Sequence, residues 1–396
     1  MKLHKPLVEA VIVCLKQIVT DNKYSDKVIE RTFKSNPQFG SRDRKFIAET
    51  VYDITRHYRY FSFVAETDKN FRMILAAYLF EKGIPFPEWP DFQTINTKLF
   101  EVKKKQVSSP AVLHSYPDEL WAICEAELGK EKWLKETEAM NQQAGVILRV
   151  NTLKIQKNDL IKKLKADEIE VDSLNVFGDA LQLRKRQNIF NSKLFLEGLF
   201  EVQDAGSQLI APFLNAEPGQ KVIDACAGGG GKALHLSALM HNKGKIIALD
   251  VEEWKLENLK KRAKRAGASN IEAQLIVEGK TIEQLKNYAD RLLLDVPCSG
   301  IGVIKRNPDA KWKLNKEVIE KTKTLQYKIL KDYSAMLKSG GYMVYSTCSI
   351  LPSENENQVA KFIEEQKGAF ELIKDKTLYP SEGFDGFYMA LIKKNS

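Results

Sequence analysis

The spacing of the hydrophobic residues divides the chain into three stretches, and the first of them is helical. From residue 1 to about 105 the apolar positions recur at helical intervals. Within 41–60, for example, Phe46, Ile47 and Val51 fall on one face of a helix. This pattern predicts an all-α domain over 1–105, with a proline-rich loop at 83–90 and a charged connector at 103–105.

The second and third stretches carry strand patterns. Over 106–200 a helical pattern precedes short strands and one further helix, which predicts a helical linker and a small α+β subdomain. From 201 to 396 apolar strands alternate with helices, and this pattern predicts an α/β domain with a parallel sheet covered on both faces. The predicted elements are helices at 117–140 and 157–166, strands at 146–150, 169–174 and 180–183, and then strands at 221–225, 245–250, 271–277, 291–296 and 341–347.

Composition narrows the class of protein. A net charge of +9 and a pI of about 9.0 favour an acidic partner, nucleic acid above all, although a merely soluble basic protein has the same balance. The five cysteines and five histidines lack metal-ligand spacing, and dispersed cysteines suit a reducing cytosol. No segment approaches the roughly 20 apolar residues that span a bilayer. We therefore expect a cytoplasmic monomer with no metal and no membrane association.

The polar face of the 41–60 helix is strongly basic. Positive side chains grouped on one face suit the phosphates of a nucleic acid, and a solvated helix face is the structural alternative. The residues concerned are Arg42, Arg44, Lys45, Arg56 and Arg59, and a second basic group lies at 184–186.

A glycine-rich turn follows the strand 221–225. Consecutive glycines let the backbone approach a ligand and expose amides at a helix N-terminus. The turn is not a Walker A loop, because the first glycine of that motif is missing and Ala233 follows Lys232. A loose dinucleotide spacing leaves a nicotinamide or flavin cofactor open, and a purely structural turn is the alternative. The turn consists of Asp224, Ala225, Cys226, Ala227, Gly228, Gly229, Gly230, Gly231 and Lys232.

Asp250 ends the next predicted strand, about 20 residues further along. In doubly wound folds an acidic residue at this position accepts hydrogen bonds from a ribose. The structural alternative is a helix cap. Together, the turn and Asp250 predict a nucleoside-containing cofactor at the switch point of the sheet.

Cys298 and Cys348 each follow a predicted strand, in the segments Asp295-Val-Pro-Cys-Ser-Gly300 and Tyr345-Ser-Thr-Cys-Ser349. A single buried cysteine is usually inert packing. Two cysteines at the carboxyl ends of parallel strands, where such folds place their sites, favour chemistry instead.

These segments together resemble the bacterial Sun/Fmu-type family of ribosomal RNA cytosine-C5 methyltransferases. The two cysteine segments, the first of them followed by 306–312 and the second by a glutamate-rich helix, form a highly specific combination. Residues 149–154 and 202–208 also resemble family motifs, and 40–46 resembles the NusB-like helical domain of the ribosomal-RNA branch. The likeness spans nearly the whole chain.

The resemblance implies a Rossmann-like, S-adenosylmethionine-dependent methyltransferase domain over 201–396. The cofactor would lie against the turn 224–232, Asp250, Asp295 and Pro297. The family turn usually reads Ala-Pro-Gly-Gly-Lys-Thr, whereas here 228–233 reads Gly-Gly-Gly-Gly-Lys-Ala; the loss of the proline loosens the turn, but its amides remain available. Glu278 is the nearest acidic residue to the position where the family usually has an aspartate near the adenine.

The resemblance also implies catalytic roles. Cys348 would add to carbon 6 of a cytosine and form a covalent adduct, and Cys298 would assist the later elimination. Asp295 would bind the edge of the base, and Lys232 would orient it. The expected substrate is 16S ribosomal RNA, with tRNA as the alternative, and the two N-terminal domains would bind folded RNA.

Three other functions fit the residues less well. A DNA cytosine methyltransferase would use Cys298 as nucleophile with a downstream Glu-Asn-Val, which this sequence lacks. A catalytically inactive ribosome-assembly factor would be expected to have lost Cys348, Asp295 or Lys232. A small-molecule methyltransferase would need neither basic N-terminal domains nor paired cysteines.

Overall fold

Residues 3–174, 178–277 and 279–396 are described by the computed structural model. They form two units, Met1–Gln142 with Ile304–Lys316, and Gln143–Val303 with Glu317–Ser396. These borders differ from the predicted ones at 105 and 200. The helices after 105 belong to the first unit, and the small α+β subdomain belongs to the second. No helix in the described ranges is long and apolar enough to cross a bilayer.

The first unit is helical because its apolar residues recur at helical spacing and bury one face of each helix. Val11, Ile47, Val51 and Ile74 are completely buried in one shared core. The helices are α1 (Lys5–Val19), α2 (Ser25–Ser35), α3 (Ser41–Arg56), α4 (Tyr58–Val64), α5 (Phe71–Glu81), α6 (Pro90–Gln93), α7 (Thr97–Lys105), α8 (Pro110–Leu113), α9 (Asp118–Leu128) and α10 (Lys130–Met140).

Helix boundaries in this unit differ from the prediction at three places. The predicted helix 41–60 is divided at His57 between α3 and α4. The predicted helix 117–140 is divided at Gly129, whose φ of 81° lies outside the helical region. Residues 103–105, predicted as a connector, are the last turn of α7, where lysines suit the partial negative charge of a helix C-terminus.

The segment Ile304–Lys316 is part of the helical unit, although it lies far along the chain. Lys311 is fully buried, and its Nζ donates hydrogen bonds to the Arg56 carbonyl at 2.7 Å and to Asn141 Oδ1 at 3.3 Å. Burial lowers the pKa of Lys311 well below its usual value, and the nearby Arg56 charge adds to this effect. The indole of Trp312 packs against the helical core. The segment therefore completes the first unit.

A small antiparallel sheet opens the second unit. Its strand order within the described residues is β2-β3-β1-β4, and one core is formed under it by Leu148, Leu164, Leu181 and Phe200. The last strand, β4, was not predicted. The elements are β1 (Ile147–Val150), α11 (Lys157–Ala166), β2 (Val171–Ser173), β3 (Ala180–Leu183), α12 (Lys193–Leu196) and β4 (Phe200–Val202).

The rest of the second unit is built on a larger sheet. Within the described residues its order is β10-β11-β9-β8-β5-β6-β7, and the pairs among β5 to β9 are parallel. The strands are β5 (Lys221–Asp224), β6 (Lys245–Asp250), β7 (Ile271–Leu275), β8 (Ala289–Asp295), β9 (Leu337–Thr347), β10 (Phe370–Leu378) and β11 (Phe387–Lys394). The antiparallel β10–β11 pair was not predicted. Most of β10 is exposed, whereas β11 is a mostly buried apolar run that the hydrophobic pattern could have indicated.

Helices cover both faces of this sheet, which confirms the predicted Rossmann-like α/β domain. Ile210, Leu236 and Leu259 pack on one face, from α13, α14 and α15, whereas Leu330 and Phe362 pack on the other, from α17 and α18. The helices are α13 (Ala205–Leu214), α14 (Gly231–Leu239), α15 (Glu253–Ala266), α16 (Lys280–Gln284), α17 (Lys316–Tyr333) and α18 (Glu356–Glu365). The carboxyl ends of β5, β6, β8 and β9 therefore meet at one edge.

Candidate active site

The glycine-rich turn connects β5 to α14 at this edge. Gly228 and Gly230 have φ values of 53° and 84°, in the left-handed region that favours glycine. A Cβ on Gly230 would lie 2.5 Å from the Cγ of Leu259, so a larger residue does not fit without movement of α15. The glycines thus allow a sharp turn that ends in the exposed amides of a helix N-terminus.

Asp250 anchors this turn from the end of β6. Its side chain is buried, Oδ2 accepts a hydrogen bond from the Gly228 amide at 2.9 Å, and Oδ1 accepts one from the Glu252 amide at 2.9 Å. Asp250 is not itself the cap of α15, which is Glu252. Each carboxylate oxygen keeps a further lone pair, so Asp250 can also accept hydrogen bonds from a ligand.

Two cavities lie beside the turn. The larger has a volume of about 1130 Å³ and is lined by predicted cofactor residues, namely Ala225, Cys226, Asp250 and Pro297, among others. The smaller, of about 190 Å³, is lined by Asp224, Cys226, Ala227, Gly231, Lys232 and Asp295 together with Gln203, Ser207 and Arg262. Cys226 lines both cavities. The predicted contacts Gly228, Gly229 and Gly230 are not among the residues that line either cavity, and Glu278 lies outside the described residues.

Three charged side chains meet in the smaller cavity. Lys232 Nζ lies 2.5 Å from Asp295 Oδ2, and Ser346 donates to Asp295 Oδ1 at 2.9 Å. Burial lowers the pKa of Lys232, but the attraction of Asp295 and Asp224 outweighs it, so the pKa is raised. Asp224 is buried, and burial together with the charge of Asp295 raises its pKa to about 7. Lys232 therefore keeps its positive charge at neutral pH, whereas the charge of Asp224 changes with pH near neutrality.

The two predicted catalytic cysteines lie side by side. Strands β8 and β9 are parallel neighbours with Asp295 opposite Ser346, so the loops that follow them emerge together. The Sγ atoms of Cys298 and Cys348 are 3.1 Å apart, and the Cys348 amide donates to Cys298 Sγ at 3.2 Å. The hydrogen bond with Cys348, burial and the charge of a Cys348 thiolate all raise the pKa of Cys298.

Two arginines without a role in the sequence analysis hold the glycine-rich turn. Arg149 is buried, and it donates to the Gly231 carbonyl at 2.6 Å and also to Gln203 Oε1. Arg262 donates to the Gly229 carbonyl at 2.6 Å. These guanidinium groups bind the carbonyl oxygens of the turn. They therefore hold the turn in the conformation that leaves its amide groups directed to the other side. The likeness of 149–154 to a family motif was the only sequence signal for Arg149.

The predicted basic face of the first unit is smaller than expected. Arg44 donates to the Phe39 carbonyl at 2.8 Å, and Arg56 is buried and paired with Asp53 at 2.9 Å. Arg59 donates to the Tyr116 carbonyl at 2.6 Å and to Asp118 at 2.7 Å. These three arginines have internal partners. Arg42 and Lys45 are exposed on α3, where Lys45 Nζ lies 3.9 Å from Glu49 Oε1.

Comparison with known proteins places two parts of the chain in one group. Residues 211–393 match the family described as 16S rRNA methyltransferase RsmB/F, and residues 116–190 match the ferredoxin-like domain of RsmF/B-like methyltransferases. A probable ribosomal RNA small subunit methyltransferase B of Synechocystis is 28% identical over 98% of this chain and 99% of that protein. A protein of the same description from Bacillus subtilis is 36% identical over 55% of this chain, and the match spans 49% of its own length.

Solved structures share the fold. PH0851 superposes with a TM-score of 0.83 at 24% identity and covers 100% of both chains. A methyltransferase homolog protein from Pyrococcus horikoshii has a TM-score of 0.63 at 29% identity, covering 72% of this chain and 97% of the other.

Proposed function

This chain belongs to the RsmB/F family of 16S rRNA methyltransferases, and from that premise we propose that it methylates carbon 5 of a cytosine in small-subunit ribosomal RNA, with Cys348 as nucleophile. The observation that carries the proposal is the pair of thiols 3.1 Å apart beside the Lys232–Asp295 ion pair. Paired cysteines at adjacent strand ends suit a reaction in which one sulfur attacks and the other assists departure.

The cofactor is S-adenosylmethionine, and the donor set of the two cavities fits it. When bound, it supplies an electrophilic methyl group on a sulfonium. The carboxylate of Asp250 suits ribose hydroxyls, and the amides of the glycine-rich turn suit a carboxylate. Asp224 is a buried carboxyl whose oxygens accept no side-chain hydrogen bond within the described chain, and it suits the ammonium group.

Cys348 begins the chemistry on the base. Carbon 5 of cytosine is a poor nucleophile until a thiolate adds to carbon 6 and the C5–C6 double-bond electrons move to carbon 5. The negative charge of a Cys348 thiolate is among the causes that raise the pKa of Lys232, so we propose that Lys232 is the cation that faces this sulfur. We propose that Asp295, which is held by Lys232 and Ser346, binds the edge of the base.

Cys298 acts after the methyl group has been transferred. The proton on carbon 5 must pass to a base, and the S–C6 bonding pair must return to Cys348. Cys298 Sγ lies within hydrogen-bond distance of Cys348 Sγ, at 3.1 Å, so it is close enough to assist this elimination. Its raised pKa keeps Cys298 protonated before attack, so it does not compete as a nucleophile. Once Cys348 is bonded to carbon 6, the Cys348 charge that helped to raise this pKa is gone, and Cys298 can release its own proton to solvent and then accept the proton from carbon 5.

The first unit fits a role in RNA binding. A base inside a helix is out of reach of a cysteine, so the target must lie in a single-stranded region or be flipped out. We propose that the first unit is the NusB-like domain and that its exposed basic residues on α3 contact phosphates.

Two variants on one denaturing gel test the proposal. With cofactor and the RNA substrate, Cys348→Ala should give neither methylation nor a covalent complex. Cys298→Ala should still methylate but remain attached to the RNA as a slow band. An adduct that is lost in Cys298→Ala and kept in Cys348→Ala would indicate a DNA-type mechanism. The absence of an adduct in both variants would contradict covalent catalysis.

The target nucleotide needs a separate measurement. Bisulfite sequencing of total RNA from a deletion strain should lose a single methylated cytosine in small-subunit ribosomal RNA. A lost site in tRNA would transfer the proposal to the alternative substrate, and no lost site would contradict cytosine methylation.

A further inference from the structure

Two buried polar residues, Glu354 and Asn355, lie next to each other in the turn between β9 and α18. Both have no exposed surface. A carboxylate is almost never fully buried unless it has partners, and the partners of Glu354 lie on the loop that carries Cys298. The hydroxyl of Tyr345 fixes the turn by donating to the Glu354 carbonyl at 2.7 Å.

Glu354 holds the residues on both sides of Cys298. Its Oε1 accepts hydrogen bonds from the Ser299 amide at 2.8 Å and from Gln326 Nε2 at 3.0 Å, and its Oε2 accepts one from the Ser299 hydroxyl. Gln326 is also buried, and its Nε2 donates to the Pro297 carbonyl at 2.9 Å. One buried carboxylate therefore fixes the loop before and after the sulfur.

Asn355 holds the other cysteine loop in the same way. Its Oδ1 accepts a hydrogen bond from the Thr347 hydroxyl, and its Nδ2 donates to the Ser349 carbonyl at 3.0 Å. These hydrogen bonds flank Cys348. Two adjacent residues of one turn therefore hold the two cysteine loops: Glu354 holds the Cys298 loop, and Asn355 holds the Cys348 loop.

The charges around the two sulfurs are opposite in sign. Lys232 is the cation on the side of Cys348, and the carboxylate of Glu354 lies on the side of Cys298. A buried negative charge disfavours a second one nearby. Glu354 therefore favours the protonated form of Cys298, which leaves Cys348 as the sulfur that attacks.

We propose that Glu354 is a positioning residue for the release step: through the hydrogen bonds on both sides of Cys298 it holds Cys298 against Cys348, where Cys298 assists elimination. This inference rests on the proposed function, because it requires that Cys298 assists elimination. The inference gives Glu354 a role different from that of the residues that serve methyl transfer, because the Glu354 side chain binds the Cys298 loop.

The test compares Glu354→Gln with the wild type, with Cys298→Ala and with a matched control. The control is Glu364→Gln, which removes one exposed negative charge from α18. The proteins receive S-adenosylmethionine with a labelled methyl group and small-subunit ribosomal RNA. Three quantities are measured: methyl transfer in a single turnover, the lifetime of the covalent complex on a denaturing gel, and the multiple-turnover rate.

Glu354→Gln should transfer the first methyl group at nearly the wild-type rate. Its covalent complex should last about tenfold longer, and multiple turnover should slow by the same factor, as expected for the loss of one buried interaction. Glu364→Gln should match the wild type. Ser299→Ala is a milder change, because it removes only the hydroxyl bond to Glu354 and keeps the amide bond. It should show a delay in the same direction, and combining it with Glu354→Gln should add little.

Different failures have different meanings. If Cys298→Ala accumulates the complex but Glu354→Gln and Ser299→Ala do not, Glu354 has no role in release. If Glu354→Gln slows the single turnover and the multiple turnover equally, without a longer-lived complex, its contribution is to general stability only. If Cys298→Ala itself accumulates no complex, the proposed role of Cys298 fails and the inference fails with it.

Discussion

At the scale of single residues, Asp224 carries the sharpest dependence on pH. Its pKa is raised to about 7 from the ordinary 3.8, because it is buried beside Asp295. The folded protein thus keeps a proton that the unfolded chain has already lost. Stability therefore falls as the pH rises through the range between these two values.

We expect Asp224→Asn to stabilise the ligand-free protein at pH 8 by on the order of 3 kcal/mol, with a smaller gain at pH 5. The same change should weaken cofactor binding, since an amide cannot pair with an ammonium group as a carboxylate does. Urea unfolding and calorimetry at both pH values measure these effects.

Asp290→Asn is the control for Asp224→Asn. The pKa of Asp290 is lowered, because hydrogen bonds from Lys338 and the Lys221 amide outweigh the effect of burial. Its replacement should therefore destabilise the protein at neutral pH. Equal effects of the two substitutions would contradict the account given for Asp224.

Asp250 is the second residue whose replacement is informative. Asp250→Ala should weaken S-adenosylmethionine binding by about 1–3 kcal/mol, because polar groups of the ligand lose their acceptor. The alanine also frees the Gly228 amide, so some thermal stability should be lost as well. Calorimetry with unchanged cofactor affinity would remove Asp250 from the site.

At the scale of elements, the structure divides the basic residues of α3 into those with internal partners and those exposed to solvent, a division that the sequence did not predict. We expect replacing Arg42 and Lys45 by glutamine to lower the slope of log affinity against log salt by roughly 0.7–0.9 for each phosphate that is no longer neutralised. Cofactor affinity should not change. Filter binding of ribosomal RNA over a range of salt concentrations measures the slope.

Arg56→Gln and Lys376→Gln complete that experiment. Arg56 is buried and paired, so its replacement should lower the melting temperature. Lys376 is an exposed lysine of β10, and its replacement should change neither the salt slope nor the melting temperature. A slope unaffected by Arg42 and Lys45 would mean that α3 merely faces solvent.

The sequence predicted those elements whose chemistry is local. Apolar runs predicted strands β5, β6, β8 and β9. The rule that sites lie at the carboxyl ends of parallel strands was then enough to indicate the residues at those ends, namely Asp224, Asp250, Asp295 and Thr347. Charged β10 lacked an apolar run, and the division at Gly129 depended on a single backbone angle. Both follow from the fact that periodicity reports burial and not backbone conformation, whereas the buried apolar run of β11 could have been predicted from the pattern.

Long-range hydrogen bonds were the other part that the sequence could not supply. Arg149 and Gly231, or Ser299 and Glu354, are far apart in the chain, and neither pair follows a spacing rule. The motifs indicated which loops matter but not which buried partners hold them. Only the fold brings Glu354 to the Cys298 loop.

At the scale of the whole molecule, the path of the chain limits where it can be divided. The segment Ile304–Lys316 leaves the second unit after Val303 and completes the first. A fragment of residues 143–396 would contain this segment without Arg56 and Asn141, the partners of Lys311. The second unit is therefore not an independent domain over that range.

We expect trypsin to cut the fragment 143–396 rapidly at Lys311 and its basic neighbours, because unpaired segments are readily cleaved. In the full chain Lys311 is fully buried and should resist cleavage. Limited proteolysis followed by mass spectrometry compares the two. Equal protection in the fragment would mean that the segment folds on the second unit alone.

The same path of the chain affects the order of events during synthesis. Domains generally fold as they emerge, the N-terminal one first. Here the first unit lacks Lys311 and Trp312 until the ribosome has also translated β5 to β8 of the larger sheet. The part of the helical core that Trp312 covers stays open until residues from the middle of a later unit have been made. Nascent chains of this protein are thus exposed to chaperones for longer than the position of the first unit would suggest.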